Sequence, residues 1–497
     1  MNLRACLLAV CLSTSLVAAS STRGDELRAA YDADTATYRK QLDELAATCR
    51  AQKLDALAEQ IAGWLPERDP LRQYFFLIRS ELSPQTASPD EQVAAAKSFL
   101  ALRQARGERL FALAKQASAA GSITTAVEWT YEALREDSAL APARKLLGYR
   151  EVDGRWLTPF EAAKVRGGAV WHPQFGWLPQ TQISRYEAGE RYLNGRWISA
   201  ADDAKFHATI ERGWIVDTEH FRIRTTHSLA AGARLGAQLE SLYQVWRQMF
   251  ARYQTPDAEW QRLFAGGEPR ELPAKRYPVV YFRTKDEYVA ALKKREPRIE
   301  LTSGIFMNDD DTAYFYADEK ANNDAFLYHE VVHELFMLTR PTTLKVGAKG
   351  NFWIVEGIAC YFESLHLHAD YAELGDVRNA RLHAARYRRL VDDFYVPLAE
   401  LTSFSLQRLQ QDERIARLYS QSSGLAWFLQ HADAGRHREA TVDYLTAVYA
   451  GKDSPTTLAE RTGIGYPDLD RRYREYLERL PDTSPLPAAP QPPPTAP

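Results

Sequence analysis

The sequence has few cysteines, little net charge and few long apolar runs. Only four of its 497 residues are cysteine, too few for a fold held together mainly by disulfides. The formal net charge of −3 gives no reason to expect nucleic acid or an anionic membrane surface as a partner. After the first twenty residues no stretch approaches a membrane span, so no integral membrane segment is expected. What is present is an apolar content of 45%, enough for the buried cores of two to four domains.

The first 19 residues have the pattern of a secretory signal peptide. Arg4 supplies the positive charge near the start, an apolar run follows over residues 5–17, and Val17–Ala19 offers small residues for cleavage. The run is too short to remain as a membrane anchor. The pattern therefore predicts a cleaved signal and a secreted or periplasmic protein.

Cleavage would leave two of the four cysteines. Cys6 and Cys11 lie within the predicted signal, whereas Cys49 and Cys360 lie far apart in the remaining chain. Two such cysteines can pair in an oxidising compartment, but the expectation is two separate buried thiols.

Helical periodicity dominates residues 20–147. Leucine and alanine recur there at spacings of three and four residues. Residues 126–147 resemble one tetratricopeptide-like helix pair, although any two-helix hairpin gives a similar pattern. Both a helical packing domain and a peptide-binding role therefore stay open for this region.

A short repeat occupies residues 148–212. The segments 154–157, 176–178 and 195–198 each join glycine to tryptophan and an aliphatic residue, with the tryptophans 21 and 20 residues apart. Glycine permits a tight turn, and an aromatic–aliphatic pair suits the strand that follows. The repeat predicts three small hairpins, whose tryptophans either form small cores or bind sugars or peptides.

From Gly213 the pattern changes to a mixture of strands and helices. Short strands, a long amphipathic helix ending near Phe250 and a hairpin around residues 304–316 are predicted, followed by mainly helical chain to residue 480. The proline-rich tail, residues 481–497, is expected to be disordered. The predicted fold class is therefore α+β and multidomain, with a helical N-terminal region, small hairpins and a C-terminal domain containing a small sheet.

The segment His329-Glu330-Val331-Val332-His333 has the spacing of a zinc site. Residues four apart share one face of a helix, so His329 and His333 can direct their imidazoles at the same ion. Glu330 lies beside them and can take a proton from a metal-bound water. With only 11 histidines in the chain, chance is a weaker explanation than function.

A catalytic zinc needs a third protein ligand. One large zincin class uses a histidine six residues after the second, but Thr339 occupies that position. Glu356 stands 23 residues after His333, within Trp353–Glu363. That segment matches the pattern Trp-x-x-Glu-Gly-x-Ala-x-Tyr-x-Glu at every fixed position, and Gly357 would let two helices approach closely.

This pattern resembles the gluzincin metallopeptidases, the superfamily of thermolysin and of the zinc aminopeptidases related to leukotriene hydrolase. The resemblance covers roughly residues 213–480. Within the superfamily, this region looks most like secreted bacterial proteins of the peptidase-MA-like group. It implies a zincin-like catalytic domain with a single Zn²⁺ held by His329, His333 and Glu356, and with Glu330 as general base. The expected partner is a peptide or protein substrate.

The resemblance leaves the surroundings of the ligands open at Cys360. Thermolysin-like enzymes carry a carboxylate one turn after the ligand glutamate, where it orients a ligand histidine. Here that position is Cys360, and Glu363 or another group is left for the task. Cys360 itself can be a buried thiol beside the ligands, or it can be a soft metal ligand.

Two further site residues follow from the same resemblance. The aminopeptidases carry a tyrosine about sixty residues after the ligand glutamate, and Tyr419 stands 63 residues after Glu356. Its phenol can donate to an oxyanion, although a core tyrosine would fit as well. Gly304, Ile305 and Phe306 begin 25 residues before His329, where those enzymes keep a substrate-binding strand.

The predicted function is a secreted zinc-dependent peptidase. The glutamate that grips a free amino terminus in the aminopeptidases has no counterpart beside Gly304, which argues against aminopeptidase activity. The alternative is a non-catalytic envelope or scaffold protein that binds partners through its helical and hairpin regions. A hydrolase acting on another amide or ester fits the motif equally well. The sequence indicates neither the substrate nor the oligomeric state.

Overall fold

The computed structural model describes residues 3–79, 94–270, 276–317, 324–342 and 345–481, with side chains from residue 23 onward. The side chains of the predicted signal peptide and the proline-rich tail after residue 481 lie outside the described residues. The fold is a mixed α+β structure, as the sequence predicts. Its chain divides into two compact units, and the second contains the predicted zinc residues.

The first unit comprises residues 3–68, 75–162 and 247–270 of the described chain and is mainly helical. Its helices span Leu3–Ala51, Asp55–Ala62, Ala94–Ala119, Ile123–Glu136, Ala141–Leu146, Ala251–Gln254 and Asp257–Phe264. Most of these helices bury an apolar stripe in one of two hydrophobic clusters. The sequence assigns residues 213–480 to one domain, whereas the contacts place residues 247–272 with the N-terminal helices.

The Ile123–Glu136 helix also buries two carboxylates one turn apart. Glu132 accepts from the Tyr31 hydroxyl at 2.7 Å and pairs with Arg106, which has no solvent exposure, at 3.2 Å. Glu136 accepts from the indole of Trp64 at 2.9 Å. Burial alone would raise the pKa of Glu132, but the nearby guanidinium groups outweigh it and lower that pKa. The helical unit therefore contains a paired polar layer within its apolar core.

Three hairpins occur where the glycine–tryptophan repeat predicts them. Their strands are Arg150–Val152 with Arg155–Leu157, Ala169–His172 with Gly176–Pro179, and Glu190–Leu193 with Arg196–Ser199. In the first and third, Asp153-Gly154 and Asn194-Gly195 have positive φ at both turn residues. That conformation matches the twist of a two-residue hairpin and favours Asp-Gly and Asn-Gly.

A short helix follows each hairpin. Thr158 and Glu161 form a reciprocal capping box at the start of Pro159–Arg166, with N···O distances of 2.9 and 3.2 Å. Ser199 caps Ala200–Phe206 by accepting from the Asp202 amide. Glu161 and Asp202 therefore both take part in the N-terminal caps of the helices after these two hairpins.

The second unit comprises residues 69–74, 163–246 and 273–481 of the described chain and is built around a five-stranded sheet. The strand order is Gly304–Met307, Thr312–Tyr316, Tyr277–Phe282, Phe221–Thr225 and Trp214–Asp217. The central strand is parallel to both neighbours, and the two outer pairs are antiparallel. The predicted substrate strand, Gly304–Met307, thus lies at one edge of the sheet.

Helices account for most of the rest of this unit. They span Ile183–Glu187, Ala200–Phe206, Leu229–Met249, Lys285–Leu292, Asp324–Thr339, Phe352–Phe362, Ala380–Leu390, Leu398–Leu401, Leu406–Gln411, Ile415–Gly435, Arg438–Tyr449, Thr457–Thr462 and Tyr466–Arg479. A second small sheet has the order Gln73–Phe76, Tyr371–Leu374 and His366–Leu367. Within the described ranges no helix has both the length and the hydropathy of a membrane span. Cys49 and Cys360 are both free and buried, as expected.

Candidate metal centre

The helix Asp324–Thr339, here called the motif helix, carries the two predicted histidine ligands. It ends two residues before Pro341, whose ring cannot continue a helix. His329 and His333 lie on one face, with ring centroids 4.9 Å apart. The His329 side chain is 2% exposed and that of His333 is 14% exposed. The predicted spacing therefore places both imidazoles together in a largely buried position.

The helix Phe352–Phe362, here called the glutamate helix, carries the third predicted ligand, Glu356. A Cβ on Gly357 would lie 2.8 Å from the carbonyl oxygen of Ser422. Only glycine allows this close approach to the neighbouring helix Ile415–Gly435. Gly357 therefore sets the depth at which the glutamate helix packs, and with it the position of Glu356.

These three side chains converge on one point. The Glu356 Oε2 atom lies 3.4 Å from Nε2 of His329 and 3.8 Å from Nε2 of His333. All three potential ligand atoms lie within 4.8 Å of one another. A tetrahedral zinc ion with ligands at its usual distances places them about 3.3–3.4 Å apart. The distance between Glu356 and His329 matches this value, and imidazole nitrogens and a carboxylate oxygen are ligands that zinc accepts, so the three residues could hold a metal ion.

A carboxylate from the end of the glutamate helix orients His329. The Nδ1 atom of His329 lies 2.9 Å from Oε1 of Glu363, and the Nε2 atom of the same ring faces Glu356. Such a carboxylate–histidine contact fixes the tautomer of a ligand histidine. Glu363 therefore makes the carboxylate contact with His329 that the sequence left to Glu363 or another group.

Cys360 also lies beside His329 and Glu363. Its side chain is fully buried, and its sulfur, a nitrogen of His329 and an oxygen of Glu363 form a second group of potential ligand atoms within 4.8 Å. The guanidinium of Arg381 forms an ion pair with Glu363 at 2.8 Å. Because that cation occupies the carboxylate, the group containing Cys360 is a poorer cation site than the group containing Glu356.

The surroundings of the two histidines shift their pKa values in opposite directions. Burial is the main cause at His333. It lowers the pKa of His333 to about 4, so this imidazole is neutral and available as a ligand near pH 7. Burial alone would also lower the pKa of His329, but hydrogen bonds to Cys360 and two carboxylates outweigh it and raise that pKa. Because a ligand imidazole must be neutral, metal binding at His329 would release a proton.

Glu330 lies beside the ligands and is held by the sheet. Its Oε2 atom accepts from the backbone N–H of Phe306 at 3.0 Å. Burial raises the pKa of Glu330 to about 7, although His329 and the Phe306 N–H both oppose this increase. A carboxyl group with this pKa can both accept and return a proton near neutral pH.

The contact with Phe306 also locates the predicted substrate strand. Gly304, Ile305 and Phe306 belong to the edge strand, and Glu330 binds one of its backbone N–H groups. A Cβ on Gly304 would lie 2.6 Å from the ring of Phe315 on the adjacent strand. The strand therefore lies next to the candidate general base, and its glycine is explained by packing.

Tyr419 lies on the helix Ile415–Gly435, which also contacts Gly357. Its side chain is 2% exposed, and its hydroxyl has no hydrogen-bond partner among the described residues. Burial raises its pKa, and the charge of Glu356 raises it further. A buried phenol near the ligand carboxylate with an unused O–H is unusual for a purely structural tyrosine.

Arg381 is a residue of this centre that no sequence pattern predicts. It stands 18 residues after Glu363 on the separate helix Ala380–Leu390, and no spacing rule connects it to the zinc motif. A buried arginine in an otherwise amphipathic helix is visible in sequence only as one basic residue among several. Its role becomes apparent from its contact with Glu363.

Comparisons with known proteins add no family to this picture: no protein-family model matches the chain, and no curated protein matches it.

Proposed function

We propose that this protein is a zinc-dependent peptidase of the gluzincin type, with a zincin-like catalytic domain around the motif helix. The observation that carries the proposal is the convergence of His329, His333 and Glu356, with Glu330 beside them. These residues would supply three protein ligands to a bound zinc ion, as in catalytic sites, whereas structural zinc sites use four.

The residues beside these three ligands are proposed to carry out the proton transfers of peptide hydrolysis. Bound zinc would supply a Lewis acid that polarises the scissile carbonyl and makes water a stronger nucleophile. Glu330 takes a proton from the attacking water and passes it to the nitrogen of the leaving amine. The backbone contact from Phe306 holds the Glu330 carboxyl in place for both transfers.

Tyr419 is proposed to donate its unused O–H to the oxyanion that forms as the carbonyl becomes tetrahedral. Changing Tyr419 to Phe should then lower kcat by about 10²–10³-fold, as for the loss of one oxyanion donor. The free energy of unfolding should not fall, because the hydroxyl forms no hydrogen bond in the described structure. Steady-state kinetics and thermal unfolding of the same variant measure both effects. An unchanged kcat would assign Tyr419 to the core alone.

The edge strand Gly304–Met307 is proposed to bind extended peptide next to Glu330. An edge strand can pair with a peptide through its backbone groups, here those other than the Phe306 N–H, which already donates to Glu330. The absence of the amino-terminus-binding glutamate at this strand favours cleavage within a chain over removal of its first residue. With the predicted signal peptide, these features support a secreted or periplasmic enzyme that acts on peptides or proteins.

Incubation of the zinc-loaded protein with a diverse peptide library is the direct test. We expect cleavage that stops with a chelator and returns when zinc is added, and the positions of the cuts will show whether ends or interiors are attacked. Cleavage that continues in chelator would contradict the metal mechanism. Zinc binding without any cleavage would instead favour the scaffold alternative or a hydrolase of other amides or esters.

A further inference from the structure

Arg381 is a buried cation whose donors are directed at Glu363. Arg381 is 3% exposed. It lies near the start of the helix Ala380–Leu390, where the Asn379 side chain caps the first turn. Its Nε and Nη2 atoms donate to Oε2 and Oε1 of Glu363 at 2.8 and 2.9 Å. This two-point contact between planar groups fixes the rotation of the carboxylate as well as its position.

Glu363 passes that constraint on to the metal ligand. Its Oε1 atom accepts from Arg381 and also lies 2.9 Å from Nδ1 of His329. The position of one oxygen therefore determines how the imidazole ring is turned. Because Nδ1 and Nε2 belong to one rigid ring, turning the ring about this contact moves Nε2 relative to Glu356.

We propose that Arg381 is a positioning residue of the metal centre, which holds Glu363 so that His329 presents Nε2 to the ion. The inference rests on the proposed zinc site and extends it to a residue on a third helix. Arg381 lies outside both the zinc motif, residues 329–333, and the segment Trp353–Glu363.

Charge balance is a second reason for a cation at this place. Glu356 and Glu363 both lie against His329, with oxygens 3.4 and 2.9 Å from its ring nitrogens. The Arg381 guanidinium pairs with Glu363 at 2.8 Å and so balances one of these two negative charges. Without this guanidinium, Glu363 would be a buried carboxylate facing His329, whose imidazole must be neutral when it binds a metal.

A rival role for Arg381 would be to bind a carboxylate of the substrate. Its geometry argues against that role, because Nε and Nη2 already bind Glu363 and only 3% of the residue is exposed. A substrate carboxylate would have to displace Glu363 and thereby release His329. The two roles also differ in what a pair of substitutions would do.

A double-mutant cycle on zinc affinity tests the proposal without any assay of activity. We expect Arg381→Met and Glu363→Ala each to weaken zinc binding by about 10–100-fold, measured by competition with a chromogenic chelator. In the protein carrying both changes, zinc binding should equal that of Glu363→Ala within about twofold, because the proposed role of Arg381 is to hold Glu363. With cobalt in place of zinc, both single variants should shift the visible ligand-field bands.

The matched control is Arg389→Met. Arg389 lies on the same helix as Arg381 and pairs with the exposed Asp393. This variant should bind zinc as the unaltered protein does. Circular dichroism of the metal-free variants checks folding, and Arg381→Lys replaces Arg381→Met in the cycle if the latter does not fold. Unchanged zinc affinity in the Arg381 variant, or losses that multiply in the double variant, would overturn the proposal. A protein that binds zinc and cleaves no peptide would refute the peptidase function alone.

Discussion

Changing Glu330 to Gln should abolish peptide hydrolysis while leaving zinc in place. The glutamine side chain has nearly the same shape and can keep the contact with the Phe306 N–H, so the three ligands should remain undisturbed. It has no carboxylate to accept the proton of the attacking water. Loss of a general base costs about 10²–10⁴-fold in rate, and here the same group must also return the proton to the leaving amine. We therefore expect a loss at or beyond the upper end of that range.

The measurement combines kcat/KM on a cleaved peptide with zinc content by atomic absorption. Glu475→Gln is a matched control, because it makes the same chemical change on the surface helix Tyr466–Arg479, where Glu475 pairs with Arg471. The control should keep full activity. A Glu330→Gln protein that holds zinc and still cleaves would remove Glu330 from the mechanism.

Local patterns predict much of the secondary structure and the inner part of the site. Glycine-containing turns mark the three hairpins, and the apolar run at residues 279–282 falls within the observed strand Tyr277–Phe282. The four-residue spacing of His329 and His333 holds because it depends on one helix alone. The choice of Glu356 depends on a pattern of eleven residues, and its carboxylate does lie beside both histidines.

Relations between distant segments could not be predicted in the same way. The parallel pairing of Tyr277–Phe282 with strands on both sides joins parts of the chain that share no local pattern. Whether Glu363 or another group contacts His329 depends on tertiary contacts, including the one between Glu363 and Arg381 on another helix. Likewise, the unused hydroxyl of Tyr419 becomes known only when its surroundings are known. Each of these features is decided by tertiary packing.

Zinc should stabilise the folded protein strongly, and His333→Ala should remove that effect. A ligand that binds only the folded state raises the free energy of unfolding by about 4 kcal/mol when its concentration is a thousand times its Kd. We expect a corresponding rise in Tm on the order of 5–10 °C for the transition that includes the metal centre. The burial that lowers the pKa of His333 to about 4 leaves its imidazole neutral and ready to bind at pH 7.

Without the His333 imidazole, only His329 and Glu356 remain as ligands, and both are already paired within the protein. Thermal unfolding with zinc, with chelator and with zinc restored measures the difference for each variant. His366→Ala is the matched control, because this exposed histidine lies in the same unit on the short strand His366–Leu367. The control should keep the full zinc-dependent rise. If His333→Ala kept it as well, zinc would be stabilising the protein from another site, and the convergence of the three side chains would not define a metal centre.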